Sequence, residues 1–156
     1  MADFAQNGVI GTLHNLRNRS TEDLEADLTQ FSVSTPMSLL LPCLYSELEG
    51  PAMGPILREL CRIPYLNEII IGLDRASESQ FEAARRFFGR LPQKHVILWN
   101  DGTRLRFVDA ALQEKGVAPT QPGKGRNVWY CLGYFLATAQ SKVVALHDCD
   151  ILTYDR

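Results

Sequence analysis

The stretch Lys142-Val143-Val144-Ala145-Leu146-His147-Asp148-Cys149-Asp150 decides how the rest of the chain is read. Its apolar run predicts a buried strand, which delivers two carboxylates at its carboxyl end. In an extended backbone, residues i and i+2 project to the same side, so Asp148 and Asp150 are expected to face one point in space. Two carboxylates so placed repel each other unless a proton or a cation sits between them. A hard divalent ion shared with a ligand's phosphates meets that need. Solvated surface pairs with this spacing are common, so the rest of the chain has to supply the context.

Working outward, a helix of mostly apolar and small residues is predicted over 126–140, after a loop rich in Pro and Gly over 117–125. Upstream the chain alternates regularly. Met37–Leu44 predicts the first buried strand, with Pro42 near its exit, where a missing ladder donor is tolerated. Residues 54–62 predict a short helix with Ile56, Leu57 and Leu60 on one side. Residues 68–74 predict a second buried strand ending in Asp74. Ser77 then caps a helix carrying Phe81, Ala84, Arg85 and Phe88 at helical spacing, with Gly89 to close it. His95–Trp99 predicts a third strand, Asn100-Asp101-Gly102 a turn, and residues 103–115 a helix closed by Gly116. Repeated β-α units of this kind predict an α/β fold, a mostly parallel sheet with helices on both faces and right-handed crossovers. Ahead of it, Ser20 caps an amphipathic helix carrying Leu24, Leu28 and Phe31. Residues 1–36 are therefore expected to form a helical extension docked outside the sheet, and residues 37–156 the α/β domain.

Bulk properties remove several function classes. The 156 residues fit one domain. A hydrophobic share of 46% and a charged share of 22% are those of a soluble globular protein. A formal net charge of −2 argues against nucleic acid as a partner. No apolar run approaches the roughly 20 residues of a membrane span, and residues 1–7 lack the basic start and apolar core of a signal peptide. Cys43, Cys61, Cys131 and Cys149 contain no C-x-x-C pair. Buried thiols in a reducing compartment are expected, and a cytoplasmic location with them.

In open parallel sheets ligands bind beyond the carboxyl ends of the strands. Residues 42–47, 74–77, 100–101 and 148–150 all converge on that edge. Asp74 suits a nucleoside contact there, and equally a turn or capping acid. Gly123-Lys124-Gly125 offers flexible backbone, a helix N-terminus and a cation, which suits a diphosphate. It is not a Walker A loop, because Gly125 stands where Ser or Thr is required. Glu47 and Glu49 read as loop acids. His14, His95 and His147 share no metal-ligand spacing, and His147 would point away from both aspartates in an extended strand. Trp129-Tyr130 reads as core. No G-x-S-x-G turn is present and no cysteine has a base, which excludes the common nucleophilic triads.

The order of these pieces resembles the nucleotide-sugar-binding half of glycosyltransferases with the GT-A fold, and within them the glucosyl-3-phosphoglycerate synthases and their relatives. Pro42-Cys43-Leu44 with Glu47 stands where that family carries P-A-L-N-E-E. Leu73-Asp74 with Ser77 matches L-D-S-G-S, although Arg75 and Ala76 replace Ser and Gly. Gly123-Lys124-Gly125 with Trp129 matches G-K-G-x-x-x-W, and Asp148-Cys149-Asp150 matches D-S-D. Tyr45 and Ser46 depart from the Asn and first Glu of the first motif. The likeness covers about residues 37 to 152.

The resemblance implies a metal-dependent glycosyltransferase whose Rossmann-like half binds a nucleotide-diphosphate sugar, UDP-glucose by preference. Pro42, Cys43, Leu44 and Glu47 would line the nucleobase pocket and Asp74 would hold the nucleoside. Lys124 would face the diphosphate, Asp148 the ribose or the metal's water shell, and Asp150 would ligate Mg²⁺ or Mn²⁺. Family members transfer glucose with retention to a small phosphorylated acceptor, 3-phosphoglycerate, and a downstream histidine completes their metal shell. The sequence stops six residues after Asp150. A donor-binding half truncated after the motif is thus expected, with weak donor binding, little transfer by itself and possible homo-oligomerisation through uncovered surface. The alternative is a nucleotide-binding or regulatory module without transferase activity. A phosphohydrolase of the haloacid dehalogenase type would place Asp-x-Asp on its first strand with Thr or Val at the position of Leu152. A dinucleotide dehydrogenase would need a G-x-G-x-x-G after the first strand. Neither pattern is present.

Overall fold

The computed structural model describes residues 19–155. Helix α1 (Thr21–Ser34) leads into strand β1 (Met37–Leu44), the single turn α2 (Tyr45–Leu48) and α3 (Met53–Leu60). Strand β2 (Leu66–Asp74), α4 (Glu78–Phe88), β3 (His95–Trp99) and α5 (Thr103–Glu114) follow, then α6 (Lys124–Thr138) and β4 (Val143–Leu146). All four strands are parallel, in the order β3-β2-β1-β4. From β1 the chain steps outward through β2 and β3, then returns to β4 on the other side of β1. The order therefore reverses between β1 and β4, and this switch point is where a sheet of this type forms its ligand crevice.

The two central strands owe their position to near-continuous apolar sequence, which a strand covered on both faces requires. Their side chains alternate between two layers. Leu39, Leu41, Cys43, Ile69, Ile71 and Leu73 face a core completed by Met53, Ile56 and Leu60 of α3 and by Ala84 and Phe88 of α4. Leu40 and Ile70 face the other way, onto Cys131, Tyr134 and Phe135 of α6. Each fully buried Leu or Ile here contributes about 1.5–3 kcal/mol of apolar burial, so β1 and β2 form the frame that carries the site.

Helix α6 is fastened to β2 by polar contacts near both of its ends. The Asn127 amide donates to the Gly72 carbonyl at 2.7 Å, and the Tyr134 hydroxyl lies 3.3 Å from the carboxylate of buried Glu68. Lys94 supplies Glu68 with its counter-charge at 3.2 Å. Gly72 is required for this close approach, since a Cβ at that position would lie 1.8 Å from Asn127 Oδ1.

Three expectations are corrected. The apolar run of 143–146 is not a buried strand: β4 is the sheet edge, and Val143 and Leu146 are exposed. Nor does that strand carry the aspartates in extended backbone. Its ladder with β1 ends at the Leu40–Leu146 pair, the last bond being His147 N–H to the Leu40 carbonyl at 3.0 Å. Residues 149–150 then form a turn, so the i, i+2 rule does not place Asp148 and Asp150 on one side. Finally, Trp129 lies at the surface, and only Tyr130 of that pair is buried. Helix α1 starts at Ser20, whose hydroxyl accepts from Asp23 N–H, yet none of its residues is buried. Among the described residues no helix is long and apolar enough to cross a membrane. His14 and the rest of residues 1–18 lie outside the described residues.

Candidate functional site

At the switch point the carboxyl ends of β1 and β2 meet the start of α6 and the loop after β4. Together they enclose a pocket of about 190 Å³, lined by Pro42, Cys43, Leu44, Glu47, Asp74, Arg75, Gly123, Lys124, Asn127, Cys149 and Asp150. Six of the residues singled out in the sequence for a donor (Pro42, Cys43, Leu44, Glu47, Asp74 and Lys124) thus face one space, and Asp150 joins them. Asp148 is not among the lining residues. It sits at the rim, where its carboxylate pairs with the Lys124 ammonium.

Each of these side chains is placed by a local cause. Beyond Pro42 the chain turns at once into α2, and Glu47 folds back so that its carboxylate accepts the Leu44 N–H at 2.7 Å. A supposed loop acid is thereby an internal cap, fixed beside the pocket. Asp74 ends β2 opposite Leu44 of β1, while Ser77, not Asp74, caps α4. Asp74 is thus left facing the site. Arg75 turns the chain out of the strand with a positive φ of 55°, a conformation costing a residue with a Cβ about 1–2 kcal/mol.

Gly123 has a φ of 137°, open to glycine and strained for other residues. It starts α6 two residues earlier than the sequence predicts, so Lys124 is the first helical residue rather than part of a loop. Among the described residues no side chain caps this end. The first-turn N–H groups are consequently available, and the helix dipole adds partial positive charge at the pocket wall. A lysine and a helix N-terminus in one place form an anion site.

The carboxylates supply the complementary chemistry. Asp150 is exposed and makes no hydrogen bond or ion pair among the described residues. Asp148 offers a second carboxylate at the rim, held by an exposed lysine pair of the kind worth only about 0–1 kcal/mol. Oxygen donors without sulfur suit Mg²⁺ or Mn²⁺. The oxygen chemistry of Asp148 and Asp150 is that of hard-ion ligands, but the turn at 149–150 leaves Asp150 in the pocket wall and Asp148 paired with Lys124.

His147 is no ligand for such an ion. Its ring packs against Tyr154, with Nδ1 2.6 Å from the phenol oxygen, and burial holds its pKa below the ordinary value despite nearby Asp148. Beside the pocket, a polar cavity of about 370 Å³ shares Asp74 and Gly123 with it and adds Asn100, Asp101, Asp109 and Arg126. Arg126 is oriented by Asp109 at 2.7 Å, and Tyr130 donates to the same carboxylate. A larger, mostly apolar hollow of about 560 Å³ lies between β3 and α5. It lacks the carboxylates and lysine that an ion and a diphosphate require.

Sequence reasoning missed Arg75, Asn127 and Cys149 as lining residues. Asn127 carried a signal in hindsight, because a polar residue one turn into an apolar helix facing a strand glycine needs a buried partner. Arg75 carried none.

A parallel sheet in this order, with helices on both faces, is consistent with the α/β, Rossmann-like half of a GT-A fold. Comparison with known proteins agrees, and the chain is a relative of the GT-A glycosyltransferases. It is 49% identical over all 156 residues to a glucosyl-3-phosphoglycerate synthase of Persephonella marina, and 34% identical over 153 residues to one of Methanococcoides burtonii. It spans 39% and 37% of the length of those two proteins. The crystal structure of glucosyl-3-phosphoglycerate synthase from Mycobacterium tuberculosis has the same fold, with a TM-score of 0.52 and 19% identity. The match covers 90% of this chain and 41% of that one. That enzyme was crystallised with Mn²⁺, uridine diphosphate and glucosyl-3-phosphoglycerate. No family model matches the chain.

Proposed function

We propose that this chain binds a nucleotide-diphosphate sugar, UDP-glucose, together with Mg²⁺ or Mn²⁺, as the donor side of glucosyl transfer to a small phosphorylated acceptor such as 3-phosphoglycerate. The observation that carries this reading is the meeting of Asp150, Lys124 and the start of α6 around one pocket at the switch point, with Asp150 unpaired and the helix start uncapped among the described residues. The likeness to glucosyl-3-phosphoglycerate synthases, one of which binds Mn²⁺ and UDP, supports it.

The roles follow from charge and position. A nucleoside diphosphate brings negative charge, and the departing diphosphate gains more as the glycosidic bond breaks. Lys124 and the first-turn N–H groups of α6 are preorganised donors for that charge. Asp150, with Asp148, would hold the divalent ion, which neutralises the leaving diphosphate as a Lewis acid. Lys124 and Asp148 hold each other as an ion pair. Donor binding exchanges that pair for two better ones, lysine with phosphate and aspartate with the cation. Asp74 and Glu47, with Pro42, Cys43 and Leu44, bound the nucleoside end.

Two variants test this. Asp150→Ala should remove the metal-dependent part of UDP-glucose affinity, lowering affinity in Mn²⁺ by tenfold or more. Lys124→Ala loses a charge-assisted contact worth about 1.5–3 kcal/mol, so affinity should fall about ten- to a hundredfold with the metal dependence retained. Unchanged donor affinity for Asp150→Ala in Mn²⁺ would remove the metal assignment.

A further inference from the structure

Two of the four cysteines are brought together at the floor of the pocket, from positions 106 apart in sequence. Cys43 at the end of β1 and Cys149 in the aspartate loop are both buried, and both are reduced. Their sulfurs and a carboxylate oxygen of Glu47 all lie within 4.8 Å of one another. The helical turn that follows β1 fixes Glu47, one of whose oxygens accepts the Leu44 N–H, and the Cys43 thiol donates to the Leu44 carbonyl at 3.2 Å. All three residues line the pocket, so an entry path exists.

We propose that Cys43, Cys149 and Glu47 form a second cation site, selective for a soft divalent ion of the zinc class and distinct from the oxygen site of Asp148 and Asp150. Two thiolates and a carboxylate are a three-ligand set that leaves a fourth tetrahedral position to water. Sulfur donors select zinc-class ions over Mg²⁺ and Mn²⁺. Zinc–sulfur bonds of about 2.3 Å in a tetrahedron put ligand atoms about 3.8 Å apart, so closing up by about 1 Å or less completes the site. Coordination releases one proton from each thiol to solvent, while Glu47 enters as the carboxylate. The bound ion would fasten the aspartate loop to the end of β1. The proposal does not rest on the donor reading, although Cys43 and Glu47 also bound the proposed nucleoside end of the same pocket.

The test is titration of the reduced chain with Cd²⁺, following the ultraviolet thiolate-to-cadmium charge-transfer band, with Zn²⁺ as competitor. The band should saturate at one Cd²⁺ per chain and vanish when Zn²⁺ is added in excess. Cys43→Ala and Cys149→Ser should each at least halve the band and weaken affinity tenfold or more. Cys61→Ser and Asp150→Ala should leave the band in place. In the unmutated chain, Zn²⁺ should slow alkylation of Cys43 and Cys149 at least tenfold, a readout that needs no variant to fold. A folded sample with no saturable band, a band that survives both Cys43→Ala and Cys149→Ser, or one lost with Cys61→Ser or Asp150→Ala would overturn the proposal. So would alkylation of Cys43 and Cys149 unaffected by Zn²⁺.

Discussion

The contact between Gly72 and Asn127 shows how single residues set the site. A methyl group on Gly72 would overlap the Asn127 side chain, so Gly72→Ala must push α6 away from β2 or break the 2.7 Å hydrogen bond. Overpacking of this kind costs about 1–3 kcal/mol, and thermal unfolding should show a melting temperature lowered by several degrees. Donor affinity should fall with it, because Lys124 and Gly123 move with the start of α6. A variant as stable as the parent would show that the contact is not tight. Residues like these mark the boundary of what sequence reveals. Asp74 and Lys124 stand out at strand and helix ends without a settled role, and Pro42, Cys43, Leu44 and Glu47 are singled out through the likeness of their motifs to the GT-A family. The pairing of Cys43 with Cys149, the positive φ of Arg75 and the back-folding of Glu47 onto Leu44 depend on three-dimensional proximity that no local pattern encodes.

Elements were legible where one force dominates. Two long apolar runs, bounded by Pro, Asp and Ser, became β1 and β2, and Ser20 and Ser77 cap the helices they precede. The fourth strand misled because an apolar run has the same appearance at a sheet edge as at its centre. Its length was misjudged too, since only pairing with β1 determines where extended backbone stops. The junction of α5 and α6 depends on Asp109. Burial alone would raise its pKa, but hydrogen bonds from Tyr130 and Gln113 and the charge of Arg126 outweigh that and hold it below the usual carboxylate value. A carboxyl depressed in the folded state contributes stability that is complete above its unfolded value of about 3.9 and is lost as pH falls through the folded value. Chemical denaturation from neutral to acid pH should therefore show a steeper loss for the parent than for Asp109→Asn. The variant should be less stable at neutral pH by about 1–3 kcal/mol, from the lost charged partner of Arg126. Parallel curves for the two proteins would separate Asp109 from acid stability.

At the scale of the whole molecule, the strand order β3-β2-β1-β4 turns scattered residues into a site. Alternation of strands and helices predicts a parallel sheet, and convergence of acids on the strands' carboxyl ends predicts the edge at which ligands bind. Which strands adjoin is settled by packing: α6 covers Leu40 and Ile70, and its return path delivers β4 beside β1. That arrangement sets Cys149 of the aspartate loop beside Cys43, while Asp148 pairs with Lys124 at the start of α6. The central claim is a nucleotide-sugar site that needs a divalent cation. Calorimetric titration of the folded chain with UDP-glucose, in Mn²⁺ and again in chelator, with GDP-mannose as the competing donor, tests it most directly. Saturable UDP-glucose binding at one site per chain, at least tenfold stronger in Mn²⁺ than in chelator and stronger than GDP-mannose, is the predicted result. Heats that never saturate in a folded sample, or affinity indifferent to the metal, would contradict the account.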